Sequence, residues 1–280
     1  MFVDDAQGLF KDKNMSVDLI KHNNGADMMA AMAKGEIDVG YVGIAPVSSS
    51  INDAVGVKII SSAQNEGSGI VVAKDSDITS AKKLKGKNVA TLGEGSIQNI
   101  LLPYYLEENG KSINDVTLST MKASQMKDAL ENGDVDAIVT YQPDVTIAKS
   151  EGFTVLEDSS KLLPNHPCCV VVASDDFLSE HADEAKELLD VHKESTKFVN
   201  DNIEDGSTNE VVKLLPNDIV SDDSLEAKSL ESFPFTSGLS NKFKSDVDTF
   251  QNLEVSMDIY GEKISRDKLF WKQNLQVMLS

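Results

Sequence analysis

The sequence predicts an α/β fold of two similar lobes with a binding site between them. Three observations carry this. Short apolar stretches of strand length alternate with segments of helical periodicity from residue 16 to residue 150, the pattern of βαβ units and so of mostly parallel sheets flanked by helices. Within that run, Ala33-Lys-Gly-Glu-Ile-Asp-Val-Gly-Tyr-Val-Gly-Ile-Ala-Pro46 reads as a helix end, a turn, a short buried strand and a loop that opens another helix. A weaker copy follows in Glu131–Pro143, where Gly133-Asp134-Val135-Asp136 aligns with Gly35-Glu36-Ile37-Asp38. Two such units imply two lobes.

Taken in order, residues 2–13 form an amphipathic helix on Phe2, Val3, Ala6, Leu9 and Phe10, and Ser16-Val-Asp-Leu-Ile20 alternates as a strand does. Gly25 to Ala33 is a helix rich in Met and Ala. Gly35 suits the helix end because it tolerates positive φ. Ile37, Val39, Tyr41 and Val42 supply the strand, Gly43 lets a ligand approach the backbone, and Pro46 fits a first helical turn. A helix over 47–53 and strands at 57–60 and 68–73 follow, with 74–87 as a polar crossover. The second unit runs strand 88–91, loop 92–96, helix 97–109, strand 116–119, helix 123–132, strand 135–139 and a helix to about Ser150. Val155 and Leu156 begin a short strand, 164–173 is an apolar strand, and 177–202 is helical. The chain is then mostly helical to its end, with breaks at Pro216 and Pro234. A helix followed at once by a parallel strand lacks the first strand of its βαβ unit, so the first strand is expected to be missing and the natural start to lie upstream of Met1.

Composition narrows the function classes. The chain has 280 residues, 40% hydrophobic and 26% charged, enough for one large domain or two smaller ones. Its formal net charge of −20 repels phosphate backbones, which argues against nucleic-acid binding. No apolar run has transmembrane length, and the acidic start Met1-Phe-Val-Asp-Asp-Ala6 is no signal peptide. The two cysteines, Cys168 and Cys169, are adjacent and make no disulfide framework.

Several groups could carry chemistry. Thr91-Leu-Gly-Glu-Gly-Ser-Ile-Gln98 sets Gly93, Gly95 and Ser96 between a strand and a helix, where free N–H groups and the helix dipole attract sulfonate, carboxylate, nitrate or phosphate. It lacks the Lys-Ser/Thr of a P-loop, and a plain tight turn with a Ser cap explains it equally. Glu66-Gly-Ser-Gly69 reads as a hinge, a ligand-contacting loop or both; Glu66 suits an amine or amidine, or is a solvated loop acid. Tyr141 and Gln142 close the second strand unit and either line a cleft or pack. Cys168 and Cys169, being consecutive on a strand, should point to opposite faces and form no chelating pair, and His166 has no second His or Cys cluster near it in sequence. No acid–base or nucleophile set emerges, so no catalytic residue, metal or cofactor is assigned, and binding is the better reading.

Together, Gly35–Pro46, Glu66–Gly69, Lys85-Gly-Lys-Asn-Val-Ala90 with Gly93-x-Gly-Ser96, and Asn165-His-Pro-Cys-Cys-Val170 resemble the nitrate/sulfonate/taurine family of substrate-binding proteins of ABC importers, which also contains binders of thiamine-pyrimidine precursors. The resemblance covers residues 1–205 well and the rest loosely. It implies a two-lobed, type II periplasmic-binding-protein-like fold, with residues 1–69 and 170–280 in lobe I and 70–169 in lobe II. It implies a small organic anion or zwitterion in the cleft, held by Gly43, Ile44 and Ala45 from one lobe and Thr91, Gly95, Ser96, Tyr141 and Gln142 from the other. Glu66 and His166 would lie near the crossovers. It further implies permease and ATPase subunits as partners, an extracytoplasmic location and a monomer. The rival implication is a cytoplasmic enzyme on the same fold, such as a thiamine-pyrimidine or menaquinone-pathway enzyme, with His166, Cys168 and Cys169 as the residues to suspect. A ligand-sensing domain of a regulator ranks last, because the chain holds no signalling module.

Overall fold

The computed structural model describes residues 1–22, 24–217 and 222–272. Gly8, at φ +75°, splits the first amphipathic segment into α1 (Phe2–Ala6) and α2 (Leu9–Asp12). The Asn24 side chain accepts the Asp27 N–H at 2.8 Å and so starts α3 (Gly25–Ala33). β1 (Val39–Gly43) runs directly into α4 (Ile44–Asn52), and β2 (Val57–Asn65) leads to β3 (Ser68–Val72). β4 (Asn88–Thr91), α5 (Gln98–Glu108), β5 (Thr117–Thr120), α6 (Ala123–Asn132), β6 (Ala137–Tyr141) and α7 (Asp144–Ser150) alternate; Gly133 at φ +76° ends α6. β7 (Thr154–Asp158), α8 (Ser159–Leu162) and β8 (Pro167–Ser174) follow. The remainder is α9 (Asp175–Glu180), α10 (Ala182–Glu204), α11 (Thr208–Val212), α12 (Asp223–Leu230), β9 (Phe235–Gly238), α13 (Asn241–Ser256) and α14 (Arg266–Leu269).

Two sheets organise these elements. The first has the order β1-β8-β2-β9 and the second β5-β4-β6-β3-β7. The chain changes sheet between β2 and β3 and again between β7 and β8. The α/β, two-sheet reading stands, but the second sheet is mixed and the first antiparallel between neighbours, rather than mostly parallel. β4 is parallel to β5 and β6, whereas β3 is antiparallel to both β6 and β7. In the first sheet β1 and β2 run the same way, yet the returning β8 lies between them, so every adjacent pair is antiparallel. Crossing between sheets forces this, because a strand that comes back from the other lobe enters in the reverse direction.

Two further expectations are corrected. Ser16–Ile20 forms no strand: it pairs with no strand among the described residues, and β1 is the edge of its sheet. A cavity of about 940 Å³, lined by Val17, Leu19, Val39 and Tyr41 among others, separates the two. Alternation alone cannot make a strand without a neighbour to bond. β9 interrupts the C-terminal region expected to be helical, and the helical expectation for 218–221 and 273–280 lies outside the described residues.

The second sheet is covered on both faces. Ile70, Val72, Val89, Ala137 and Val139 pack on Leu84, Leu102 and Leu106, while Val71, Ala90 and Ile138 pack on Met126, Leu130 and Ala148. That double burial is why its strands read as continuous apolar runs. The core of the first sheet takes in Ile97, Ile100 and Leu101 of the α5 region beside Ile44, Val47, Val170 and Phe243. The two lobes therefore touch through apolar side chains, each buried Ile or Leu being worth roughly 1.5–3 kcal/mol.

Candidate functional site

The site grows from the end of β1. Gly43 closes the strand at φ −60° and ψ 144° and then stands at the N-cap of α4, where it has no side chain to accept the first helical amides. Ile44 and Ala45 turn their side chains into the core of the first sheet and are buried as whole residues, at 0% and 3% exposure. Gly25 fixes this loop from behind: a Cβ there would stand 2.7 Å from Pro46 Cγ.

The second lobe presents a matching loop. Thr91 Oγ1 accepts the Gly93 N–H at 3.1 Å and pairs with Asn99 Oδ1 at 3.0 Å, so its buried hydroxyl shapes the loop. The Ser96 hydroxyl donates to Gly93 O at 2.7 Å and accepts the Asn99 N–H at 3.2 Å. Gly93 and Gly95 hold φ of +91° and +75°, which any other residue would adopt under strain. α5 then begins behind Ile97, whose own side chain cannot cap it, with the Ser96 hydroxyl taking one first-turn amide, that of Asn99. The two helix starts face each other: a Cβ on Gly43 would lie 3.7 Å from Ile97 Cδ1. The α4 N-terminus has no side-chain cap, and helix N-termini on both walls carry the positive end of the helix dipole, which suits negative charge.

Tyr141 ends β6 with 38% of its surface exposed. Burial raises its phenol pKa, and the charges of Asp144 and Cys169 add to the effect. Cys169 itself pairs with Gly43 in the β1–β8 ladder. Gln142 is committed locally: its N–H donates to Gly67 O at 2.8 Å and its Oε1 accepts the Thr146 N–H at 3.1 Å. Asp144 is half-buried and burial raises its carboxyl pKa.

Glu66 and His166 lie at the two sheet crossovers. The Glu66 N–H donates to His166 O at 3.1 Å, and the Asn165 N–H donates to Glu66 Oε1 at 2.7 Å. Glu66 and Asn165 both take positive φ, +62° and +61°. The His166 Nδ1 bonds Leu163 O at 2.8 Å, while its buried Nε2 has no partner; burial lowers its pKa to about 4, so the ring is neutral at pH 7. Gln64, which gave no signal in the strand pattern, pairs with Cys169 in the ladder and donates from Nε2 to Glu66 O at 3.3 Å. Cys168 keeps the face of Val170 and Val172, as expected, and Cys169 packs also with Val171 and Ala173 on the other, but it turns far enough that the two sulfurs are only 3.7 Å apart.

The structure thus brings Gly43 of the first lobe up to Ile97, next to Gly95 and Ser96, in the second, with Glu66 and His166 at the crossovers. Among the described residues no trio of His, Cys, Asp or Glu could hold a metal ion, and no helix is long and apolar enough to cross a membrane.

Comparison with known proteins agrees with this architecture. The chain is 29% identical over 245 residues to a putative aliphatic sulfonates-binding protein of Bacillus subtilis, covering 78% of this chain and 71% of that one. It is 25% identical over 216 residues to a 4-amino-5-hydroxymethyl-2-methylpyrimidine phosphate synthase of Aspergillus parasiticus, covering 71% and 62%. The structure superposes on the periplasmic aliphatic sulphonate binding protein SsuA from Escherichia coli with a TM-score of 0.83, at 19% identity, over 97% of this chain and 88% of that one. The fold is that of periplasmic binding proteins. The model of the NMT1-like family matches residues 1–216 of the 280, and the chain belongs to that family.

Proposed function

We propose that the chain is the solute-binding receptor of an ABC import system and captures a small organic anion or zwitterion of the sulfonate, taurine or nitrate class between its lobes. The observation that carries this is the approach of two helix N-termini from different lobes, α4 behind Gly43 and α5 behind Ile97. An anion there would accept N–H groups from both lobes at once, which selects the closed arrangement. Gly43, Ile44, Ala45 and Gly95 would supply the backbone donors and Tyr141 a polar ring edge, while Ser96, whose N–H and hydroxyl both bond Gly93 O, would hold the loop. Asp144, half-buried beside them, suits the amine of a zwitterion. Thr91, Gln142, Glu66 and His166 would act mainly by holding loops and crossovers. The names of the Bacillus and Escherichia proteins support the sulfonate class. In this reading the receptor works as an extracytoplasmic monomer that hands its solute to permease and ATPase subunits and has no business with nucleic acid.

Alignment with the Aspergillus synthase favours a second, enzymatic reading. It would need an activated nucleophile. His166, neutral and bonded to the Leu163 carbonyl, has no hydrogen bond to either thiol, so the Cys–His pair such a reading would use is not assembled. A thermal-shift panel of taurine, alkanesulfonates, nitrate and aminopyrimidines separates the two. A sulfonate at about 100 times its dissociation constant should add about 2.7 kcal/mol of stability without turnover. No shift with any anion, or conversion of an aminopyrimidine, would overturn the proposal.

A further inference from the structure

Cys168 and Cys169 are the chemically distinctive residues that solute binding does not use. In the β2–β8 ladder Val170 faces Ser62, Cys169 faces Gln64 and Pro167 faces Asn65. Ala63 is therefore an extra residue on β2 and Cys168 an extra residue on β8. Cys168 packs with Val170 and Val172, and Cys169 reaches both that core and the one around Val171 and Ala173, so the two sulfurs sit 3.7 Å apart, close to van der Waals contact. Both thiols are free. Cys168 is 6% exposed, and Cys169 is half-buried. Cys169 stands opposite Gly43 and near enough to Tyr141 that its charge bears on that phenol. The Gln64 amide adds a donor 4.0 Å from the Cys168 sulfur. The thiols share a proton unequally: hydrogen bonding from Cys168 holds Cys169 below the usual thiol pKa, and the same contact, with burial, holds Cys168 above it.

This pair suits one kind of ligand. A metal ion such as zinc requires four donors, and the described residues offer no trio of His, Cys, Asp or Glu to begin such a set. A soft centre that needs two sulfurs and brings its own third substituent has no such requirement. We propose that the Cys168–Cys169 dithiol is a capture site for trivalent organoarsenic compounds, with the arsenic bridging the two sulfurs and its organic substituent directed into the space beside Gly43 and Tyr141. The reaction balances without an oxidant. In R–As=O the two arsenic–oxygen bonds are exchanged for two arsenic–sulfur bonds, the two thiol protons leave with the oxygen as water, and arsenic stays trivalent.

The test uses the full chain and phenylarsine oxide. Under native conditions mass spectrometry should find one phenylarsenic unit per chain. The adduct should survive a monothiol, be stripped by a dithiol such as 2,3-dimercaptopropanol, and protect both cysteines from a thiol-titrating disulfide reagent. Cys169→Ser and Cys168→Ser should each lower arsenic retention at least tenfold in the presence of the monothiol. Folded protein should retain it at least tenfold better than guanidinium-denatured protein, a comparison that holds even where a serine variant fails to fold. Equal retention by folded and denatured chains, retention by either single variant, or absence of a monothiol-resistant adduct would overturn the assignment.

Discussion

The backbone N–H of Asn165 donates to the Glu66 carboxylate at 2.7 Å, tying one crossover between the sheets to the other. The Glu66 N–H returns a bond to His166 O at 3.1 Å, so the two crossing segments are clasped side by side. Glu66→Ala removes the acceptor and should cost about 1 kcal/mol in urea unfolding, with faster exchange of the Asn165 amide. Asn165→Val, at φ +61°, should cost about 1–2 kcal/mol, whereas Asn165→Gly should be close to neutral. Unchanged exchange at Asn165 in Glu66→Ala would dismiss the clasp.

The glycines of the second-lobe loop should separate folding from binding. At Gly93 a Cβ would meet Thr120 Cγ2 at 2.7 Å while φ is +91°, so Gly93→Ala should lose about 2–3 kcal/mol. At Gly95 a Cβ meets nothing within 4 Å, and only the positive φ is strained. Gly95→Ala should cost about 1 kcal/mol of stability and weaken solute binding at least tenfold by placing a methyl among the donors. Denaturant midpoints and titration calorimetry on the two variants check the contrast.

Gly43 tests the opposite wall. A Cβ there makes ordinary contacts of 3.6 Å to Pro46 Cδ and 3.7 Å to Ile97 Cδ1, so Gly43→Ala should fold and retain binding. Gly43→Phe would fill the gap between the lobes. It should abolish binding while leaving the circular dichroism spectrum intact.

Stability should respond to pH through two buried groups from opposite sides. Glu254 accepts the Tyr260 hydroxyl, and burial raises its pKa from 4.5 to about 8. Its contribution is complete below the unfolded value and is lost as pH rises through about 8, on the order of 4 kcal/mol at most. Glu254→Gln should flatten the melting temperature between pH 5 and 8. His166 is held from 6.5 down to about 4, so its contribution is present above pH 6.5 and is lost as pH falls toward 4. Melting curves across pH 4–9 on wild type and Glu254→Gln decide this.

The strand–helix alternation was legible in the sequence because local periodicity carries it: Ala33–Pro46 folds as it reads, into a helix end, β1 and α4. Strand direction was not legible. Nothing local in Pro167–Ser174 says that it returns to insert between β1 and β2. Ser16–Ile20 misled for the converse reason, since its alternation is real but no strand among the described residues bonds it. The Gly43 and Thr91–Ser96 loops could be named from their glycines, whose backbone demands are local. Gln64 could not be, because its place opposite Cys169 depends on a long-range register with bulges, and the 3.7 Å approach of the two cysteine sulfurs depends on side-chain angles that alternation does not fix.

The central claim is that backbone donors from both lobes hold an anion. Titration calorimetry of ethanesulfonate against 1-propanol, similar in bulk but uncharged, tests it most directly. The account expects one sulfonate per chain, bound at least a hundredfold more tightly than the alcohol, with binding lost in Gly43→Phe. Equal affinity for the two, or sulfonate binding that survives in Gly43→Phe, would contradict it.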